Sequence, residues 1–189
     1  MGGKGNRTSD RSASAVASRL LIRAAAREDI PSIVAVSGSS IVEGEDAGFS
    51  TPQSEQIFID AAKLSAEWQE PNFVHGEEII VAELDGRVVG VVTIEDRGEA
   101  LELINIDVPL ELQSRGIGTR LVRSVEERAR QEGKSAVTLG TSRSATGVPW
   151  KSLPWWQSRG YRITHEEENA WTRAIGPGAR EIRMRKDLP

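Results

Sequence analysis

Residues 113–119, Gln-Ser-Arg-Gly-Ile-Gly-Thr, lie between two runs of opposite periodicity. Before them, residues 101–108 (Leu-Glu-Leu-Ile-Asn-Ile-Asp-Val) are rich in β-branched and apolar residues and predict a strand. After them, residues 120–130 place Leu121, Val122, Val125 and Ala129 on one side of a helical period, with a stop at Gly133. Two glycines one residue apart at such a junction let the backbone turn its N–H groups toward one point. The first turn of a helix also carries unpaired N–H groups and a dipole of about +0.5 charge. A pyrophosphate suits that concavity; glycines serving only a tight turn are the plainer alternative. Neither common nucleotide motif fits. A Walker A loop ends in Gly-Lys-Ser/Thr, whereas Gly118 is followed by Thr119-Arg120, and a Rossmann fingerprint needs a third glycine where Leu121 stands.

The spacing Gln113, Gly116, Gly118 matches Gln/Arg-x-x-Gly-x-Gly/Ala and resembles the acetyl-CoA pyrophosphate loop of GNAT-type N-acetyltransferases. The same family typically has Val-x-Pro between strand and loop, where this chain has Val108-Pro109. Residues 21–30 look like its opening strand and first helix, residues 156–161 like its Tyr-x-x-x-Gly-Phe segment, and residues 182–188 like its final strand. Matches in this order span roughly residues 20–188. The resemblance implies an α/β fold with a mixed, mostly antiparallel central sheet that splays after its fourth strand. It also implies acetyl-CoA as co-substrate. Carried over residue by residue, the backbone of Ile106 and Val108 would bond the pantetheine amides. The amides of Gln113, Ser114, Arg115, Gly116, Ile117, Gly118 and Thr119 would hold the pyrophosphate, with Arg115 and Arg120 adding charge.

Along the chain, residues 1–17 have almost nothing to bury and predict a disordered tail, which leaves residues 18–189 as one domain. A first strand is expected over 18–25, a helix from Asp29, and a second helix over 54–69. Asp85-Gly86 between residues 78–84 and 87–95 is a two-residue hairpin signal. Short strands are expected over 136–139 and 161–164, and a last one over 180–186. Residues 140–147 read as a polar loop in which Ser142 and Ser144 supply hydrogen bonds, and the segment before the last strand reads as ordered.

Transfer of an acetyl group from a thioester to an amine needs a neutral amine, a stabilised oxyanion and a fate for the thiolate. An alkyl amine with pKa about 10.4 costs about 4–5 kcal/mol to deprotonate at neutrality. The backbone amide of Ile106 is the candidate oxyanion donor. Glu102 and Asp107 are both on the strand beside the cofactor. Their odd separation puts them on opposite faces by simple alternation, and Glu102 is the candidate base, since Asp107 shares parity with Leu103. A solvated strand carboxylate is the alternative for either. The family's acid is a Tyr four residues before the Gly of Tyr-x-x-x-Gly-Phe, but Trp156 stands there, and the lone tyrosine, Tyr161, occupies the Phe position. Tyr161 is a candidate acid; Ser158, a water, or departure of the bare thiolate are the other options.

Trp150, Trp155 and Trp156 fall within seven residues, as packing or as an aromatic wall. Acidic runs at Glu43, Glu45, Asp46 and at Glu166-Glu167-Glu168, the latter beside His165, suit a cationic amine if they are more than solvated faces. A net charge of −4 disfavours nucleic acid, and no apolar window spans a membrane. No cysteine is present, so there is neither a disulfide nor a thiol nucleophile; two histidines suit few metal sites. A cytoplasmic N-acetyltransferase acting on a small primary amine is expected. A protein or peptide acetyltransferase and a catalytically weak acyl-CoA-binding module are the alternatives, and a homodimer is possible.

Overall fold

The computed structural model describes residues 20–40 and 57–189. The expected tail and the Glu43–Asp46 acidic loop therefore lie outside the described residues. Among the described residues, nine strands form one open sheet: β1 Leu21–Ala24, β2 Trp68–Gln69, β3 Phe73–Val74, β4 Glu77–Leu84, β5 Arg87–Asp96, β6 Ala100–Asp107, β7 Ala136–Arg143, β8 Arg162–Glu167 and β9 Arg180–Asp187. Their order is β2-β3-β4-β5-β6-β7-β9-β8, with β1 also paired to β4. All pairs are antiparallel except β6 with β7. The mixed, mostly antiparallel architecture is the one the resemblance implied.

Among the described residues, five α-helices cover the sheet: α1 Ile30–Ser40, α2 Ala61–Glu67, α3 Ile117–Gln131, α4 Ser152–Gln157 and α5 Ala170–Ile175. On one face α3 lays Ile117, Leu121, Val122, Val125 and Ala129 against Val92, Ile94, Leu101, Leu103, Val137 and Leu139, and α4 adds Leu153 and Trp156. On the other, Ile30, Ile33 and Val36 of α1 and Leu64 of α2 pack on Val74, Ile79, Val81 and Val91. Each such aliphatic side chain contributes about 1.5–3 kcal/mol when fully buried. Gly90 sets how closely α3 approaches. A Cβ there would lie 3.0 Å from both Ile117 Cγ2 and Leu121 Cδ1.

Several boundaries differ from expectation. The β4–β5 hairpin turns through Asp85 and Gly86, with φ of 51° and 77°, the conformation its sequence signalled. The second helix is shorter than the apolar pattern suggests. Asp60 caps it by accepting from the Ala62 and Lys63 amides, and Trp68 has already turned into β2. β7 runs on to Arg143 because Gly140–Arg143 pair with Arg180–Arg183 of β9, a long-range partner invisible in local composition. Expected loop residue Ser142 is thus a buried strand residue.

Candidate active site

The strand-to-helix corner has the conformation that its glycines permit. Ser114 and Gly116 both take positive φ, 61° and 86°. Gly116 is the N-cap of α3, and among the described residues no side chain caps that end of the helix. The first helical hydrogen bond runs from the Arg120 amide to the Gly116 carbonyl at 3.0 Å. The amides of Ile117, Gly118 and Thr119 therefore have no partner within the helix and face out of its end. Gln113 to Gly116 are exposed. Gln113 donates to the Val108 carbonyl at 3.1 Å and so braces the corner against the end of β6. Arg120 donates to the Leu20 carbonyl at 3.1 Å, which ties it to the start of β1.

Beside this corner the sheet opens. β6 and β7 pair only from Ala100–Ala136 to Leu103–Leu139. Among the described residues, β6 continues beyond Leu103 to Asp107 paired with β5 alone, while β7 continues beyond Leu139 paired with β9 alone. Ile104, Asn105, Ile106 and Asp107 thus present a free backbone edge next to the uncapped helix end. α4 stands across the opening, with Ser152 and Thr141 hydroxyls 2.9 Å apart.

The tryptophans divide between two tasks. Trp156 is core, packed edge-to-face on Tyr161 at 5.3 Å between ring centres. Trp155 meets Trp156 edge-on at 4.5 Å and lies over Gly118, 3.5 Å from where a Cβ would be. The Arg159 guanidinium stacks 3.6 Å from the Trp155 ring centre and donates to the Thr119 hydroxyl at 2.6 Å. Ser158 donates to the Trp155 carbonyl at 2.7 Å. A cavity of about 180 Å³ lined by Thr119, Arg123, Glu126, Arg159 and Lys186 adjoins this helix turn.

Tyr161 is misplaced for the acid suggested from sequence. It is 2% exposed, and its hydroxyl donates to Glu126 Oε1 at 3.2 Å. Burial and the Glu126 carboxylate push its pKa far above the ordinary phenol value. Lys186 completes this cluster with contacts of 2.8 and 2.9 Å to the two Glu126 oxygens.

The assignment of Glu102 and Asp107 to opposite faces is also corrected. Thr93 pairs with Asn105 and Ile94 with Leu103, so Ile104 is an extra residue in β6. Cross-strand partners share a face. Val92 sits opposite Ile106 and Ile94 opposite Leu103, all on the α3 face, whereas Val91 sits opposite Asp107 and Glu95 opposite Glu102. The bulge cancels the odd spacing and both carboxylates lie on the α1 face. There they have different partners. Glu102 Oε1 accepts from Arg183 at 2.5 Å and Oε2 from Arg97 at 3.1 Å, and Arg183 in turn reaches Glu181 at 2.9 Å. Asp107 accepts from Ser37 at 2.8 Å, Ser40 at 2.7 Å and Asn105 at 2.6 Å. Burial lifts its carboxyl above the ordinary Asp range, a shift that the bonds from Ser40, Ser37 and Asn105 reduce. Glu77, on the same face, is also raised by burial, and its Oε2 has no hydrogen-bond partner among the described residues, as is true of Trp68 Nε1. Asp107, Ser37, Ser40 and Asn105 were not singled out as a group from sequence. One signal was present: apolar residues at 101 and 103, then 104, 106 and 108, shift phase by one position where the bulge falls.

None of the helices among the described residues is long and apolar enough to cross a membrane. Comparison with known proteins bears on the whole arrangement. The chain is 33% identical over 115 residues (60% of its length) to N-acetylaspartate synthetase of Danio rerio, of which it covers 38%. It covers 38% and 50% of the curated relatives it matches, so it spans half or less of their length. In fold it is similar to PaiA N-acetyltransferase from Thermoplasma acidophilum in complex with coenzyme A, with a TM-score of 0.66 and 16% identity over 90% of this chain and 99% of that one. IAA acetyltransferase from Bacillus cereus ATCC 14579 gives a TM-score of 0.60 and 23% identity over 90% of this chain and all of the other. The model of the GNAT acetyltransferase family matches residues 45–148, more than half of the chain, and takes in both the splayed strand and the glycine corner. A parted sheet beside an uncapped helix end is what that match leads one to expect, and the chain belongs to the GNAT acetyltransferase family.

Proposed function

We propose that this chain transfers the acetyl group of acetyl-CoA directly to the primary amine of a small cationic acceptor. The observation that carries the reading is the free edge of β6 beyond Leu103, set against the uncapped N-terminus of α3. The edge suits the amides of an extended pantetheine arm, which would add to it as a strand does. The amides of residues 114–119 suit a diphosphate, with Arg115 exposed beside them. The Ile106 amide is our oxyanion donor, since it belongs to the same free segment.

The acceptor would approach from the α1 face. That face carries Asp107, while Arg97 and Arg183 on it are already bonded to Glu102 and Glu181. An acceptor bearing its own carboxylate, as the name of the Danio rerio relative implies for that protein, would have to break those pairs. A cationic amine would break no such pair and could meet the Asp107 carboxylate, which favours it here. With Trp156 and Tyr161 both in the core, no aromatic acid serves the sulfur. A thiol has pKa about 8.5, so the thiolate is a tolerable leaving group without one.

Calorimetric titration with acetyl-CoA, followed by thiol release with spermidine, kanamycin, aspartate and a peptide with N-terminal alanine, tests the reading. Binding with turnover of spermidine or kanamycin is expected. Turnover of the peptide alone makes the chain a protein acetyltransferase, and binding without any turnover makes it an acyl-CoA-binding module. Gly116→Trp places an indole at the mouth of the corner, where the present glycine has open space and φ of 86°. It is expected to weaken acetyl-CoA at least tenfold, and unchanged affinity would remove the loop from the site.

A further inference from the structure

We propose that Asp107 is the general base of this transfer, with Ser37 and Ser40 of α1 and Asn105 of β6 fixing its carboxylate toward the acceptor amine. The assignment rests on the acetyltransferase reading above and adds the residue that moves the proton. Three observations bring it forward. The bulge at Ile104 turns Asp107 to the face opposite α3, one residue from the Ile106 amide and within the segment of β6 that has no β7 partner. Its donors are distributed unevenly. Among the described residues, Oδ2 accepts from both Ser37 and Asn105, whereas Oδ1 accepts from Ser40 alone. A carboxylate oxygen has two acceptor positions, so Oδ1 keeps one open for an amine proton. Asp107 as a residue is half-buried, neither sealed in the core nor fully open.

The competing carboxylate is occupied. Both oxygens of Glu102 accept from guanidinium groups, and its role is to hold Arg97 and Arg183. Among the described residues, the groups that face Asp107 are uncharged: Ser37 and Ser40 from α1, Asn105 from its own strand and Val91 across the ladder on β5. Burial raises its affinity for a proton, and the three hydrogen bonds hold that rise in check. A base so tuned lies closer to neutrality than an ordinary aspartate and meets the amine partway.

The step balances as follows. Asp107 takes one proton from the bound ammonium and passes it to water. The freed nitrogen lone pair attacks the thioester carbonyl carbon, the C–N bond forms, and the C–S bond breaks with its electron pair on sulfur. The second nitrogen proton ends on the thiolate, which gives amide and thiol.

The test is the pH dependence of kcat/KM, with the fastest of the four amines above, in Asp107→Asn, in Ser37→Ala/Ser40→Ala and in Glu102→Gln. Asp107→Asn is expected to lose 10²–10⁴-fold at neutral pH. Its residual rate should climb about tenfold per pH unit toward the amine pKa, since only amine already neutral can react. Acetyl-CoA affinity should stay within twofold, which separates loss of the base from loss of the coenzyme site. The serine pair removes two donors that favour the charged carboxylate, so the acid limb should move to higher pH in an otherwise active protein. That variant decides the matter even where Asp107→Asn does not fold. A residual rate within threefold in Asp107→Asn, an acid limb unmoved in the serine variant, or its disappearance in Glu102→Gln instead, overturns the assignment.

Discussion

At Tyr161 the ring and the hydroxyl belong to a structural cluster. The ring packs on Trp156, and the hydroxyl donates to Glu126, which also pairs with the Lys186 ammonium and, at 3.9 Å, with Arg130. A phenol so buried beside a carboxylate holds its proton too firmly to give it to a thiolate near neutrality. Tyr161→Phe removes one hydrogen bond and leaves Glu126 with Lys186, so it should cost about 1 kcal/mol in urea unfolding. Its acetyl-transfer rate should stay within twofold. A hundredfold loss in kcat with stability intact would restore the tyrosine as acid. The same logic of partners separates Glu102 from Asp107. Residue type and spacing present both as strand carboxylates, and only their neighbours, two guanidinium groups in one case and two hydroxyls with an amide in the other, tell them apart.

At the scale of elements, the legible parts are those whose cause is local. The glycine corner, the Asp85-Gly86 hairpin and the apolar stripe of α3 each carry their instruction within a few residues. The strand at 101–108 was legible as a strand, but its faces were not, because alternation assumes an unbroken pleat and Ile104 interrupts it. β2 and β3 are two residues each and exist through pairing with one another and with β4, so no periodicity announces them. The second half of β7 has the same origin in β9. The tryptophan segment was legible as aromatic but ambiguous in role, and α4 resolves it by turning Trp156 into the core and Trp155 onto Gly118. That division is testable. Trp156→Ala opens a cavity in the α3 face and should cost about 3–5 kcal/mol. Trp155→Ala should cost less stability yet weaken acetyl-CoA several-fold, because the Arg159 stack and the support for the first turn of α3 go with it. Equal effects of the two substitutions on stability, with none on affinity, would make the whole cluster packing.

For the whole molecule, the sheet is joined across its middle by four residue pairs, Ala100–Ala136 through Leu103–Leu139, and parts above them. α3 spans the junction from one side, against β5, β6 and β7, and the interior on that face is continuous. A coenzyme lying in the opening would therefore bond an edge that no described residue pairs with, and its binding would report on that edge. Acetyl-CoA at 100 times its Kd adds about 2.7 kcal/mol by mass action, which for a domain of this size raises Tm by roughly 5–10 °C. That rise alone does not locate the ligand, since any molecule bound only to the folded state produces it. Hydrogen exchange does. At matched saturation, acetyl-CoA should protect the amides of residues 104–108 as well as those of 114–119. Adenosine 3′,5′-diphosphate extended by one phosphate, which lacks the pantetheine arm, should protect the second group alone. Protection of the corner by both ligands with residues 104–108 unaffected would show that the arm lies elsewhere, and the open edge of β6 would then need another explanation.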